Sequence, residues 1–106
     1  MPQLVSYAPS SRLNVQVNDT LRLERSSFGA KVRAARAVLG LSQDELGDLV
    51  GLTQRSVHRI EQGLVEARLR TIFTIEQFLN ERDLAFEDLP DGGFRLVVKG
   101  SLLRGQ

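Results

Sequence analysis

Apolar residues recur at helical spacing through the middle of this chain. From Phe28 onward they repeat every three or four residues, which is the period of one face of an α-helix. The spacing predicts four helices, over about residues 28–39, 43–50, 54–61 and 68–80. The residues predicted to point inward are Val32, Ala35 and Leu39; Leu46, Leu49 and Val50; Val57 and Ile60; and Leu69, Ile72, Ile75, Phe78 and Leu79. The pattern therefore indicates a mainly helical bundle.

The ends of these helices carry residues that start or stop a helix. Ser42 precedes the second helix and Glu45 follows three residues later, which is the spacing of a capping box. Thr53 stands at the same place before the third helix. Gly40 and Gly51 follow the first and second helices, where glycine adopts a left-handed backbone without steric cost. Tight turns are therefore predicted between the first three helices.

The N-terminal part of the chain has a different period. Apolar and polar residues alternate from Leu13 to Leu23, around the turn-forming residues Asn18, Asp19 and Thr20. We therefore predict an N-terminal arm, residues 1–27, that contains a short β-hairpin.

Alternation returns after the helical domain, which is predicted over residues 28–80. Two short runs are joined by the turn sequence PDGG, and their apolar residues are Leu84, Phe86, Phe94, Leu96 and Val98. The helical stripes are already complete at Leu79, so these strands could serve another purpose. Either they close a small sheet over their own bundle, or Phe86, Phe94, Leu96 and Val98 form a dimer interface. We favour dimerisation for this extension, residues 81–106, because free strand edges invite pairing.

The composition narrows the class of protein. The chain has 106 residues, a formal net charge of +1, one histidine and no cysteine, which excludes disulfides and thiolate metal sites. No catalytic constellation, cofactor motif or set of metal ligands can be assembled from it, so we expect neither an enzyme nor a cofactor. With no secretion signal and no apolar run of about 18 residues, the sequence predicts a cytoplasmic protein that does not enter the membrane.

The most informative segment is QDELGDLVGLTQRSVHRIEQ, residues 43–62. Two short helices that meet at a tight turn need apolar residues at the corner, a small residue where the helices approach, and glycine in the turn. The corner positions are apolar, namely Leu46, Val50, Leu52, Val57 and Ile60. Gly47 is the small residue and Gly51 turns the chain. The segment therefore has the pattern of a helix-turn-helix motif.

Residues 28–79 resemble the helix-turn-helix domains of the Cro/CI phage repressors and the XRE regulators. The resemblance is carried by VRAAR at 32–36, GLSQ at 40–43, EL at 45–46, SV at 56–57 and IEQG at 60–63. It implies a lambda-repressor-like bundle of four or five helices whose third helix enters the major groove of DNA. The chain departs from the family at Gly47, where alanine is usual, and in the sequence VEAR at 65–68, where the family commonly has a proline.

The resemblance also implies roles for individual residues. Gln43 is expected to bind a phosphate and to support Gln54, whose amide matches the edge of adenine. Arg55 and Arg59 are expected to bind guanine or phosphate. The remaining positions expected at the DNA surface are Arg33, Thr53, Ser56 and Gln62. Arg36 and Glu61 are expected to form a structural ion pair between the first and third helices.

These inferences lead to one main hypothesis and two alternatives. The main hypothesis is a homodimeric transcriptional repressor that binds a palindromic operator in double-stranded DNA, since one such domain covers about one half-site. The first alternative is the DNA-binding antitoxin of a toxin–antitoxin pair, whose flanking segments hold a toxin. The second is an adaptor that binds proteins, which would lack basic and amide groups on the third helix.

Overall fold

The computed structural model describes the backbone of residues 2–104 and the side chains of residues 17–104. The elements in these residues are α1 (Pro2–Leu39), α2 (Gln43–Val50), α3 (Gln54–Glu61), α4 (Leu69–Glu81), β1 (Leu84–Asp88), β2 (Phe94–Val98) and α5 (Gly100–Arg104). The predicted mainly helical bundle with short strands is confirmed, and α5 is an element that the sequence pattern did not predict. No helix in the described part of the chain has an apolar stretch long enough to cross a membrane.

The core lies where α1, α2, α3, α4 and the strands converge. Its buried apolar residues are Val32, Ala35, Leu46, Val57, Ile60, Ile75, Phe78, Leu79 and Leu84. All but Leu84 lie on the predicted helical stripes, and α3 packs against both α1 and α2. Helix α3 is therefore held from two sides by helices that contribute to one core.

Two residues of the predicted stripes are exposed instead of buried. The buried face of α4 is formed by Ile75, Phe78 and Leu79. At 100° per residue, Leu69 falls about 120° away from Ile75, and it is 82% exposed. In α2 the buried face runs through Leu46 and Gly47, and Leu49 lies to one side of it with 50% of its surface exposed. The predicted positions of α2 and α4 are confirmed, but their predicted apolar faces are too wide.

The predicted N-terminal hairpin is wrong, because residues 2–39 form one continuous helix. Leu13, Val17 and Leu21 are spaced four apart, so their sequence positions fit a helix as well as a strand. Leu21 also continues the stripe of Phe28, seven residues later. A free hairpin would need an apolar layer to cover it. A helix forms its hydrogen bonds within the segment, so Val17 can remain 51% exposed.

The C-terminal strands form an antiparallel hairpin that packs on the bundle of their own chain. Leu84 pairs with Val98 and Phe86 pairs with Leu96, which places all four on one face of the hairpin. Leu84 is completely buried, and the other three pack against the core. Of the two interpretations of these strands, the structure shows the sheet that closes over its own bundle. Phe94, the fourth residue of the predicted dimer interface, is half-buried with its ring centre 5.7 Å from that of Phe86. These side chains are thus partly covered within their own chain, which weakens the argument for a dimer interface built from them.

Candidate nucleic-acid interface

The turn between α2 and α3 is fixed by caps on both helices. The hydroxyl of Ser42 accepts the N–H of Glu45 at 3.0 Å, and the N–H of Ser42 donates to the Glu45 carboxylate at 2.8 Å. The bond from the Ser42 N–H, followed by a hydrogen bond from the Ser42 side chain to the same carboxylate, holds the pKa of Glu45 below its ordinary value. Gly51 ends α2 with a left-handed φ of 77°. The hydroxyl of Thr53 accepts the N–H of Ser56 at 3.0 Å and so caps α3. The predicted caps and turn are confirmed.

Gly47 is the position where α2 and the turn come closest. A Cβ atom at Gly47 would lie 2.5 Å from the carbonyl oxygen of Leu52, which is closer than real Cβ atoms approach. The same turn is held by the Leu52 N–H, which donates to the Gly47 carbonyl at 2.8 Å. The glycine therefore permits a tighter turn than alanine would.

The apolar corner orients α3 so that one face points outward. Val57 and Ile60 are buried in the core. Gln54 and Arg55 are exposed at the beginning of the helix, and Arg59 is half-buried near its end. None of the salt bridges found among the described residues involves Arg55 or Arg59. The outer face of α3 thus carries an amide and two guanidinium groups that are not held by carboxylates of the described chain.

Arg36 and Glu61 form a bidentate ion pair between α1 and α3. Arg36 Nε donates to Glu61 Oε2 at 2.8 Å, and Arg36 Nη2 donates to Glu61 Oε1 at 2.9 Å. The Glu61 side chain is 1% exposed and that of Arg36 is 22% exposed. Burial alone raises the pKa of Glu61, but hydrogen bonds from Arg36 and Gln43 and the charge of Arg36 outweigh it, so the pKa is lowered. The hydrogen bond to Glu61 raises the pKa of Arg36 in turn.

A chain of hydrogen bonds leads from this ion pair to the surface of α3. Gln43 Nε2 donates to Glu61 Oε1 at 3.0 Å, and Gln54 Nε2 donates to Gln43 Oε1 at 2.7 Å. A carboxylate only accepts, so it fixes the direction of the Gln43 amide, and that amide fixes the direction of Gln54. The side-chain oxygen of Gln54 and its second N–H remain for a ligand. The ionised Glu61 therefore sets the hydrogen-bonding polarity of the outermost amide.

The other residues predicted at the DNA surface are Arg33, Thr53, Ser56 and Gln62. Arg33 on α1 and Gln62 at the end of α3 are both exposed. Thr53 is exposed as well, and its hydroxyl donates to the Ser56 hydroxyl at 2.9 Å. His58 is exposed, with Nδ1 3.5 Å from the Gln43 amide nitrogen. Thr53 and Ser56 thus have a structural role in capping α3.

Two contacts between distant parts of the chain have no signal in the sequence. The bond between Gln43 and Glu61 joins residues 18 positions apart, and no local pattern shows it. Lys31 on α1 donates to Asp88 at 2.7 Å, and its ammonium lies 5.9 Å from the ring centre of Phe86. This contact ties α1 to the hairpin. The described residues hold no group of three or more histidine and carboxylate side chains placed to bind a metal ion.

Comparison with known proteins agrees with this geometry. A family model described as helix-turn-helix matches residues 32–86. Two HTH-type transcriptional regulators, from Sinorhizobium medicae and Rhizobium meliloti, are each 36% identical over 67 residues, which is 61% of this chain and 48% of the relative. The chain therefore spans about half the length of these curated relatives. No solved structure gives a significant match. The matched segment contains the whole of α2, the turn and α3, and the chain belongs to the XRE-type helix-turn-helix family.

Proposed function

We propose that this chain is a DNA-binding transcriptional regulator in which α3 reads base edges in the major groove. The observation that carries the proposal is the hydrogen-bond chain from Arg36 through Glu61 and Gln43 to Gln54. It holds an exposed amide in one orientation at the start of α3. Such preorganisation is useful for recognising a ligand and adds little to a solvated surface.

The orientation of the Gln54 amide fits adenine. Adenine presents an N7 acceptor beside an N6 donor in the major groove. The second N–H of Gln54 can donate to N7 while its side-chain oxygen accepts from N6. Arg55, the next residue on α3, is exposed and has the paired donors that match O6 and N7 of guanine. The two residues together favour adjacent adenine and guanine contacts.

The groups around these two residues suit the phosphate backbone. Arg59 is half-buried near the end of α3, and Arg33 and Gln62 are exposed; we assign these three side chains to phosphates and not to base edges. Phosphate contacts of this kind set register and supply most of the salt-dependent affinity. One α3 covers a single half-site, so we further propose that two copies bind a two-fold symmetric operator and act as a repressor by occupying it.

The test is selection of binding sites from random duplex DNA, followed by titration of the parent and variants. Arg55→Ala should cost about 1–3 kcal/mol and relax the preference at one base pair per half-site. Gln54→Ala should relax a neighbouring A·T position. Arg95→Ala is the matched control, because it removes the same charge from an exposed pair on the hairpin, distant in sequence from α3. If Arg55→Ala and Arg59→Ala both bound the selected site like the parent, the assigned reading face would be wrong.

A further inference from the structure

The outer face of α4 is apolar and uncovered in the described chain. Leu69 is 82% exposed and Phe73, one turn later on the same face, is 65% exposed. Phe73 lies on the opposite side of α4 from the buried Ile75, so its side chain faces away from the core. Leu64, in the loop that leads from α3 to α4, is 62% exposed. Leu69 and Phe73 thus place two large apolar side chains side by side on one helix face, as in a surface that binds another protein.

The charges on this face point to a particular partner. Arg70 and Glu76 stand three residues before and three residues after Phe73, on opposite flanks of the apolar stripe. Both are exposed, and neither takes part in a salt bridge among the described residues. A two-fold axis over Phe73, perpendicular to the line from Arg70 to Glu76, would exchange these two positions. Each arginine would then face the glutamate of another copy.

We propose that the outer face of α4 is a self-complementary surface that binds the same face of a second copy of this chain. Phe73 packs against Phe73 of the second copy at the axis, Leu69 extends the apolar contact, and two Arg70–Glu76 pairs flank it. A contact of this kind is isologous, so it closes after two subunits. The inference rests on the proposed function in one respect, since two-fold DNA recognition requires a dimer.

The size of the surface sets the strength of the contact. A buried phenylalanine and a leucine, with their neighbours, cover on the order of 300 Å² per copy, against about 800 Å² in a standard stable interface. The free protein should therefore dimerise weakly, with dissociation in the micromolar range or above, and the dimer should be favoured further when both copies occupy one operator.

Sedimentation equilibrium of the full chain over a wide range of concentration is the first test. The parent should show a reversible monomer–dimer equilibrium. Phe73→Glu should weaken the association by about tenfold or more. Leu103→Glu is the control, because Leu103 on α5 is 66% exposed and therefore matched in exposure. A parent that stays monomeric at every concentration, or a dimer that Phe73→Glu leaves intact, would overturn the proposal.

Charge reversal gives a second test that does not depend on changing an apolar residue. Arg70→Glu alone should weaken the dimer, because each new glutamate then faces Glu76 of the other copy. Glu76→Arg alone should weaken it in the same way, because each new arginine faces Arg70. The double variant Arg70→Glu with Glu76→Arg should restore the dimer, since each pair is re-formed with its charges exchanged. Additive weakening in the double variant would refute the assigned pairing.

DNA titrations separate this proposal from the proposed function. A Phe73→Glu monomer should bind an isolated half-site like the parent and lose the advantage of the full operator. If the parent dimerises through α4 but binds no selected DNA, the DNA-binding proposal fails and the interface stands. If the parent binds a full site tightly and Phe73→Glu binds it equally tightly, the interface is refuted and DNA recognition stands.

Discussion

Removing Glu61 should reveal how much stability the ion pair with Arg36 maintains. In Glu61→Ala the Arg36 guanidinium loses two charge-assisted hydrogen bonds, at 2.8 and 2.9 Å. Breaking a buried pair by deleting one partner typically costs about 3–5 kcal/mol. Arg36 is 22% exposed and keeps its bond to the Leu41 carbonyl, so the lower end, about 3 kcal/mol, is expected.

This loss should be visible as a large change in thermal stability. For a domain of this size each kcal/mol corresponds to about 4–8 °C, so the Tm should fall by about 12–24 °C. The measurement is thermal and urea unfolding followed by circular dichroism. DNA binding should be measured well below the lowered Tm, where the remaining folded protein should still bind, with weaker preference at the base read by Gln54.

The control replaces both partners by apolar residues, as Arg36→Met with Glu61→Leu. This double variant buries no unpaired charge, so it should recover a substantial part of the lost stability. A Glu61→Ala variant as stable as the parent would refute the structural role of the pair. If that variant were also defective on DNA, Glu61 would have to belong to the contact surface.

Three further predictions concern pH, the α2–α3 turn and the hairpin. The pKa of Glu61 is lower in the folded protein than in the unfolded chain. Ionised Glu61 therefore stabilises the fold above its unfolded pKa of about 4.3, and this stabilisation is lost as the pH falls through the folded value. The Tm of the parent should fall more steeply than that of Glu61→Gln between about pH 5 and pH 3. Gly47→Ala should lower the free energy of unfolding by about 1–2 kcal/mol, because the close contact of the new Cβ with the Leu52 carbonyl outweighs a gain in helix propensity of about 1 kcal/mol. A variant more stable than the parent in urea unfolding would contradict this. Cutting the chain after Asn80 should abolish cooperative unfolding in calorimetry. The loss of Leu84 alone should cost about 2–5 kcal/mol, out of a free energy of unfolding of about 5–15 kcal/mol for a typical domain. A sharp transition in the truncated chain would show that the helices are stable without the hairpin.

Local chemistry in the sequence was sufficient to predict α2, the turn after it and α3. The capping box at Ser42, the left-handed Gly51 and the cap at Thr53 each depend on residues within three positions, and all three are present in the structure. The apolar corner is less local, since Leu46 and Val57 are 11 positions apart, but both lie on the two helices that this turn joins. Elements whose residues stabilise each other within one or two turns can be predicted from one sequence.

The predictions that were wrong or missing depend on surroundings beyond the local sequence. The positions of Leu13, Val17 and Leu21 fit both the period of a strand and the period of a helix. Only their continuity with the helical stripe that follows Phe28 distinguishes the two. The stripe width in α4 was overestimated because the burial of Leu69 depends on what lies beside it, which no local pattern records. The contact between Gln43 and Glu61 likewise depends on two helices being brought together. The roles of Gln54, Arg55 and Arg59 at DNA stay predictions that the binding experiments address.

The burial of Leu84 has a consequence for how the chain folds as it is synthesised. Leu84 is completely buried in the core and pairs with Val98 across the hairpin. A nascent chain that ends before residue 84 has a cavity where this leucine belongs, and one that ends before residue 98 cannot form the hairpin. The helices of the motif emerge first from the ribosome, but their core is complete only when the later residues have been synthesised. Folding of α3 is thus coupled to translation of a segment that begins 23 residues after α3 ends.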